Sequence, residues 1–578
     1  MSTPTRENSS YESATVDRDY KVIGTRPIRH DGLDKVTGAA VYGGDVKLPG
    51  LIFGKVLRSP HAHAKIKKID TSKVMKLTGV LAVATADDLV ETVDKLSNLG
   101  ETLVNVRELA CNSLASDKVL YKGHAIAAIA ATSVHIAEEA LDLIDVEYEI
   151  LPAVIDVQAA MAENAPLLDE TRTTRELGKS TGRVSNIATI NESAMGDLEK
   201  GFSEADHVVE HEFKTATVHQ GYIEPHNTTV WWKNDGTITI WVSTQGPFEI
   251  RSQVSEVLNI PVSKIKVVPC EIGGGFGGKF PAYMEPAAAI LSHKTGRPVK
   301  MIMTRTEVFE ATGPGPGSFI KAKMGVKKDG TLCAAYAKLV YEAGAFPGSA
   351  VGAASMCIFA PYNIENVLIE AYDVVLNKPK SSAYRAPGAP NAAFASESII
   401  DELAELIGMD PLNLRLKNSA HEGTRRADGT RFKKIGCEET CIAAIDSEHY
   451  STKIEGKYRG RGVASGFWVN GGGESSASIS VNDNGTVNLQ EGSVDIGGSR
   501  ASMAMIVAET LGLNAEDVNP SVPDTSSIGM TAGTGGSRTT YATGHACYKA
   551  AEAIKAEMCI RASRQLETSH SDIRYENG

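Results

Sequence analysis

Gly273-Gly274-Gly275-Phe276-Gly277-Gly278-Lys279 is the stretch on which the reading of this chain turns. Gly273, Gly275 and Gly278 satisfy the dinucleotide fingerprint G-x-G-x-x-G. A strand-like run, Ile265-Lys266-Val267-Val268-Pro269, precedes it, and a helix-like run from Pro281 to Ser292 follows. Such a loop presents backbone N–H groups to anionic oxygens, and the pattern alone establishes no more than that. What the loop cradles has to be read from the rest of the chain.

At 578 residues the chain exceeds a single core, and roughly three or four domains are expected. Apolar content of 42% and charged content of 22% are ordinary for a globular protein. A formal charge of −12 argues against a nucleic-acid partner, which calls for a basic patch. The eight cysteines are scattered, and only Cys437 and Cys441 lie close together. No second pair completes a zinc or iron–sulfur ligand set, so any such cluster is expected on another chain. Met1 to Tyr20 is polar and lacks an apolar core segment, which reads as a disordered tail rather than a signal peptide. No run reaches the ~18 apolar residues of a membrane span. A soluble, cytoplasmic protein is expected.

Residues 21–151 are expected to mix helix and strand, with a β-rich run at Ala125–Ala130, a helix at Ala137–Leu143 and an alternating strand at Ile144–Tyr148. Residues 152–180 read as a linker. A second unit spans 181–420, with a strand at Thr237–Val242 and a helix at Ala395–Ile407 whose apolar face is Ile399, Ile400, Leu403, Leu406 and Ile407. Residues 421–456 read as a second linker or excursion. A third unit spans 457–578, with a hairpin turning at Asn482–Gly485 and a helix at Ser502–Leu511.

Four more segments change the meaning of the opening loop. They are Ser243-Thr244-Gln245-Gly246-Pro247-Phe248, Ala383-Tyr384-Arg385-Ala386-Pro387-Gly388, Asp495-Ile496-Gly497-Gly498-Ser499-Arg500 and Thr534-Gly535-Gly536-Ser537-Arg538-Thr539. Each alone has an ordinary explanation as a turn or strand end. In this order, together with Gly273–Lys279, they resemble the large, molybdenum-binding subunit of the xanthine oxidase/aldehyde oxidoreductase family. Residues 21–151 likewise resemble that family's a/b hammerhead domain. The resemblance implies an α+β (mixed α/β) fold, a hammerhead domain followed by two molybdenum-cofactor-binding domains.

The implied cofactor is molybdopterin with molybdenum, in the cytosine dinucleotide form. Such a group brings its own dithiolene ligands, so it needs N–H groups and hydroxyls around it rather than a protein metal cage. By resemblance, Gln245, Phe276 and Arg385 carry catalysis, Arg385 by holding negative charge that develops on the substrate or oxo group. Gly274, Gly275, Phe276, Gly277 and Arg385 would face the metal. Gly497, Gly498, Ser499, Gly535, Gly536 and Ser537 would hold the pterin and its phosphate tail, with the helix from Ser502 offering its N-terminus to the anion. The implied reaction oxidises an aldehyde, an N-heteroaromatic or an aromatic substrate with water-derived oxygen. Electrons would pass to an iron–sulfur subunit carrying [2Fe-2S] and a subunit carrying FAD.

The chain departs from the family pattern at several places. Ala386 stands where the copper-using carbon monoxide dehydrogenases carry a cysteine, and Pro387 where purine and aldehyde enzymes carry a phenylalanine. Gly497-Gly498-Ser499 lacks the glutamine of the usual G-Q-G, whose role a hydroxyl of Ser499 or Ser502 would take. The glutamate that serves as general base near the family's C-terminus has no counterpart before Gly578. The chain is therefore expected to be inactive alone, either as a fragment or with a separate chain completing it. Two other readings stand beside this one. One is a non-catalytic, cofactor-holding subunit of a split enzyme. The other is an NAD-dependent dehydrogenase built on Gly273–Gly278, with Glu307 as its acidic residue past the next strand.

Overall fold

The computed structural model describes residues 19–90, 92, 94–98 and 103–578. The expected tail therefore lies, up to residue 18, outside the described residues. Ala125–Ala131 is the pivot of the first layer. Its sequence, Ala-Ile-Ala-Ala-Ile-Ala-Ala, is buried at every position, as a strand covered on both faces requires. It pairs antiparallel with Ile52–Arg58 and with Val80–Thr85. Ile52–Arg58 in turn pairs in parallel with Val299–Ile302. One seven-stranded sheet results, in the order 265–269, 238–242, 227–232, 299–302, 52–58, 125–131, 80–85. Gly54 makes the joint close, since a Cβ there would sit 2.7 Å from Met301 Cγ. The helix Glu285–Thr295 packs on this sheet and buries its alanine run, Ala287 to Ala289.

A second seven-stranded sheet has the order 179–184, 173–176, 187–195, 366–375, 332–344, 318–326, 207–215. The helix Ala389–Ile407 packs on its last two strands. Ile399, Ile400 and Leu403 are fully buried there, each stabilising the fold by about 1.5–3 kcal/mol. The helix starts six residues before Ala395, because Gly388 takes a left-handed φ of 78° as its cap and Pro390 fits the first turn. Leu406, expected on the buried face, is 50% exposed. Both expected linkers contain regular structure. The first holds the strands Thr173–Glu176 and Lys179–Val184, and the second the helix Cys437–Ile445. Lys179–Val184 is an edge strand exposed at every position, so it carries no apolar alternation to read.

The third unit is a three-stranded sheet under two helices. Ala477–Val481 and Val487–Glu491 form the expected hairpin, and Val518–Ser521 adds in parallel. Gly485 at the turn has φ 85°, which glycine adopts without steric cost. Met503, Val507 and Leu511 of the helix Ser499–Leu511 bury against Val487, Leu489 and Val518. The unit also closes the outer edge of the first sheet. Thr525 N donates to Val267 O at 3.0 Å, and Val267 N donates to Thr525 Oγ1 at 3.0 Å. An otherwise open strand edge is thereby paired. The architecture is α+β, as expected. Among the described residues no helix is long and apolar enough to cross a membrane.

Glu491 tests the third core. It is wholly buried, Oε2 accepts from Ser493 N at 2.7 Å, and Oε1 has no partner among the described residues. Burial pushes its carboxyl up to about 8, against ~4.3 in an unfolded chain. The folded state therefore holds the proton more tightly, and stability falls as pH rises between those two values. Glu491→Gln removes this penalty. Its thermal midpoint is expected above that of the parent at about pH 8, with the gap closing towards about pH 4.5. Midpoints that differ by the same amount at every pH would contradict the assignment.

Candidate active site

The glycine loop is held from below by a buried ion pair. Lys279 Nζ lies 2.8 Å from Glu224 Oε2, and the lysine side chain is fully buried. Glu224 Oε2 also accepts from Gly273 N at 2.7 Å, while Oε1 accepts from Ser243 Oγ and Asn227 Nδ2. Both ends of the loop thus hang on one carboxylate. Burial pushes the Lys279 ammonium below the usual lysine range, and Glu224 counters that pull. From the side, Gln245 Oε1 accepts from Gly277 N at 2.8 Å and Lys279 N at 3.3 Å. Gln245 is 3% exposed, and a Cβ on Gly275 would stand 2.5 Å from its Oε1.

The other loops converge on this one. Gln245 Nε2 donates to Thr534 O at 2.9 Å, and Thr534 N donates back to Gln245 O at 2.8 Å. Thr534 Oγ1 donates to Val494 O, and Arg500 reaches Glu271, just before the glycines, at 2.6 Å. Arg385 N donates to Phe276 O at 2.9 Å, and Ser382 Oγ to Gly277 O at 3.1 Å. A Cβ on Gly277 would lie 2.4 Å from Ala383 O. Eight non-glycine residues have left-handed φ among those described, and Phe276, Arg385, Ala386 and Ser537 are four of them. Each costs about 1–3 kcal/mol unless its surroundings compel it. The strain concentrates at these loops.

Sorting the backbone donors separates the expected binding residues into two groups. The N–H groups of Gly274, Gly275 and Phe276 have no acceptor among the described residues, nor do those of Gly497, Gly535, Gly536 and Ser537. Gly277 N is bonded to Gln245, and Gly498 N and Ser499 N are bonded to Asp495 Oδ1 at 2.8 and 2.7 Å. The helix therefore begins at Ser499 rather than Ser502, and Asp495 already fills the anion position at its N-terminus. The Ser499 hydroxyl donates to the same carboxylate. Of the two hydroxyls expected to replace the glutamine, that of Ser499 thus spends its proton within the chain, and Ser502 lies inside the helix. Arg538 of the fifth segment is structural, its guanidinium bonded to the carbonyls of Ala532, Gly472 and Glu474.

Free donors thus cluster in two patches, at 274–276 and at 535–537, beside open space at Gly497. The Gln245 amide nitrogen spends one hydrogen on Thr534 and keeps one. The Thr539 hydroxyl is buried without a partner. Phe276 is 46% exposed, and the exposed Arg385 makes no ion pair or side-chain hydrogen bond among the described residues. Such a donor set fits a large anion that carries its own metal ligands. It fits a dinucleotide loop poorly. The helix after the glycines starts only at Glu285, seven residues past Gly278, with two strands lying between Ile265–Pro269 and Val299–Ile302. Glu307 caps its own helix through Thr304 N and pairs with Arg58.

Behind the loops, Arg29, Lys35 and Arg500 interleave with Asp31, Glu271 and Asp495. These contacts pull the Asp31 carboxyl well below the usual carboxylate range. Glu271, Asp495 and Arg500 edge a cavity of about 330 Å³ that also meets Val41, Trp241 and Cys270. Glu224, Lys279, Asp31 and Lys35 escaped the sequence reading. A signal existed for the first pair, since a lysine within an apolar loop needs a buried acid, and Tyr222-Ile223-Glu224-Pro225 offers one.

Comparison with known proteins gives the same picture. The profile described as "Aldehyde oxidase and xanthine dehydrogenase, a/b hammerhead domain" matches residues 37–152. Two profiles described as "Molybdopterin cofactor-binding domain" match residues 181–419 and 438–578. The nicotinate dehydrogenase large molybdopterin subunit of Eubacterium barkeri is 31% identical over 73% of this chain and 95% of its own length. The xanthine dehydrogenase molybdenum-binding subunit of Escherichia coli O157:H7 is 31% identical over 95% of this chain and 74% of its own. Reconstituted CO dehydrogenase from Oligotropha carboxidovorans superposes with a TM-score of 0.82 at 27% identity, covering 96% of this chain and 73% of that one.

Lys279→Met leaves the partly buried Glu224 with only its neutral donors Gly273 N, Ser243 Oγ and Asn227 Nδ2, and is expected to cost about 1–3 kcal/mol of stability. Adding Glu224→Gln should restore much of that loss, because removing both charges spares their desolvation. Thermal unfolding of the two variants beside the parent tests this, and a double variant no better than Lys279→Met would count against the pairing.

Proposed function

The chain belongs to the xanthine oxidase/aldehyde oxidoreductase family of molybdopterin-binding large subunits, and from that premise we propose that it is the catalytic subunit of a molybdenum hydroxylase. The substrate class is an aldehyde, an N-heteroaromatic or an aromatic compound, and the oxygen added comes from water. The cofactor is molybdopterin in the cytosine dinucleotide form. The electrons pass to partner subunits carrying [2Fe-2S] and FAD, a reading that rests on the family resemblance alone.

When bound, the molybdenum cofactor supplies the two-electron redox chemistry that no side chain provides. This chain's residues bind and orient around it. The free amides at 274–276 and at 535–537 would hold the cofactor's anionic groups, much as other backbone nests hold anions. The spare Gln245 hydrogen would be available to the bound cofactor. The unpaired Arg385 guanidinium holds negative charge that grows on the reacting oxygen. The exposed Phe276 ring offers a flat apolar wall to a planar substrate. One observation carries this reading: among the described residues, unbonded donors, strained backbone and the unpaired Arg385 guanidinium fall on the same joined loops.

The native complex is expected to contain molybdenum in about one-to-one ratio with this chain. Arg385→Met is expected to lower kcat by about 10²–10³-fold, the usual loss on removing one charge-stabilising donor, with molybdenum content unchanged. Metal analysis of the purified complex, alongside turnover of benzaldehyde, nicotinate and xanthine with an artificial acceptor, checks both. A molybdenum-free complex would overturn the reading. Full activity in the Arg385→Met variant would favour a cofactor-holding subunit whose active chain lies elsewhere.

A further inference from the structure

Gln220 stands outside every motif that marks the site, yet its side chain touches three of the loops that build it. The residue is 6% exposed. Its Nε2 donates to Ala383 O at 2.8 Å and to Gly313 O at 3.0 Å. Its amide also lies directly under Gly278, where an added Cβ would meet Gln220 Cδ and Oε1 at 2.9 Å. Both amide hydrogens are spent on carbonyls, so the orientation of the group is determined and Oε1 must face the glycine loop. That oxygen has no partner among the described residues. A buried acceptor left unpaired is costly.

The contacts above Gln220 show what the amide achieves. Ala383 O, which it holds, is the atom that Gly277 approaches so closely that only a glycine fits. Two residues further on, Arg385 N donates to Phe276 O. Gly313 O belongs to Gly313-Pro314-Gly315-Pro316-Gly317, whose glycines are pressed against Lys380 O, Tyr384 Cβ and Glu342. That segment backs the arginine loop as a rigid platform. Gln220 therefore ties platform, arginine loop and glycine loop at one point. We propose that Gln220 is a positioning residue, whose amide sets Arg385 and the Phe276–Gly278 backbone in register with each other. The assignment of a task to that register rests on the proposed function, whereas the coupling of the loops does not.

The test uses the native complex with Gln220→Met, which keeps length and loses both donors. Gln220→Glu serves as a second variant that keeps shape and volume and turns a carboxylate towards the two carbonyls. Amide hydrogen exchange is expected to quicken at least about tenfold at Arg385 and Gly277 in either variant, while Gly498 and Ser499, held by Asp495, exchange as in the parent. With benzaldehyde or nicotinate as probe, kcat should fall about tenfold or more with KM changed less than about threefold. On an Arg385→Met background the same substitution should cost less than about threefold, because the group it positions is gone. Equal acceleration at both sets of amides would mean a general structural role and overturn the proposal, as would no acceleration at all. Molybdenum analysis of the parent complex keeps the two claims apart: its absence sinks the proposed function, and the exchange result still decides the coupling.

Discussion

A buried lysine and the partly buried glutamate it meets determine where everything else at the site can be. Lys279 and Glu224 meet at 2.8 Å, the lysine side chain fully buried. The lysine charge is costly there alone, because an unpaired ion in a low-dielectric interior has lost its hydration without compensation. Their contact locks the end of the glycine loop onto the segment that follows Gln220, and Gly273 N hangs from the same carboxylate. A loop of five glycines would otherwise be the most mobile part of the chain. Here it is pinned at both ends and gripped in the middle by Gln245, so that only its free amides face outward.

The units are joined by backbone pairing rather than by loose contact. Ile52–Arg58 lies between strands of its own segment and a strand some 250 residues later in the same sheet. The third unit pairs with the opposite edge of that sheet through Thr525 and Val267. These joints cover the edge strand at Val267 and tie the cores behind the loops to one another. The strained residues Phe276, Arg385, Ala386 and Ser537 can hold left-handed backbone only because such a frame surrounds them.

The charge network behind the loops acts in the same direction. Arg500 touches Glu271 and Asp495, and Lys35 touches Glu271 and Asp31. The segment at 29–35, the strand end before the glycines and the start of the helix at Ser499 are thus clamped together by alternating charges. Because the network satisfies the first amides of that helix through Asp495, it shifts the free-donor surface elsewhere, to 274–276 and 535–537. The site is shaped as much by donors already used as by those left open.

The sequence by itself determined the class of the protein. Glycines at 273–278, 497–498 and 535–536 are local statements, since each marks a place where the backbone must turn or approach something closely, and their order along the chain carried the resemblance. The hairpin at Asn482–Gly485 and the helix ending at Ile407 were legible for the same reason, being dictated by near neighbours. The exposed hairpin at 173–184 was not, because it buries too little to leave a pattern. Which amides remain free was decided only by the tertiary structure. Gly277, Gly498 and Ser499 looked like equals of Gly274 and Gly536, and lost their availability to Gln245 and Asp495. Gln245 meets Thr534 across 289 positions, and Arg500 meets Glu271 across 229. A motif specifies what a backbone can do. A hydrogen bond's partner is specified by whatever the folded chain brings within 3 Å of it, and no local pattern encodes that.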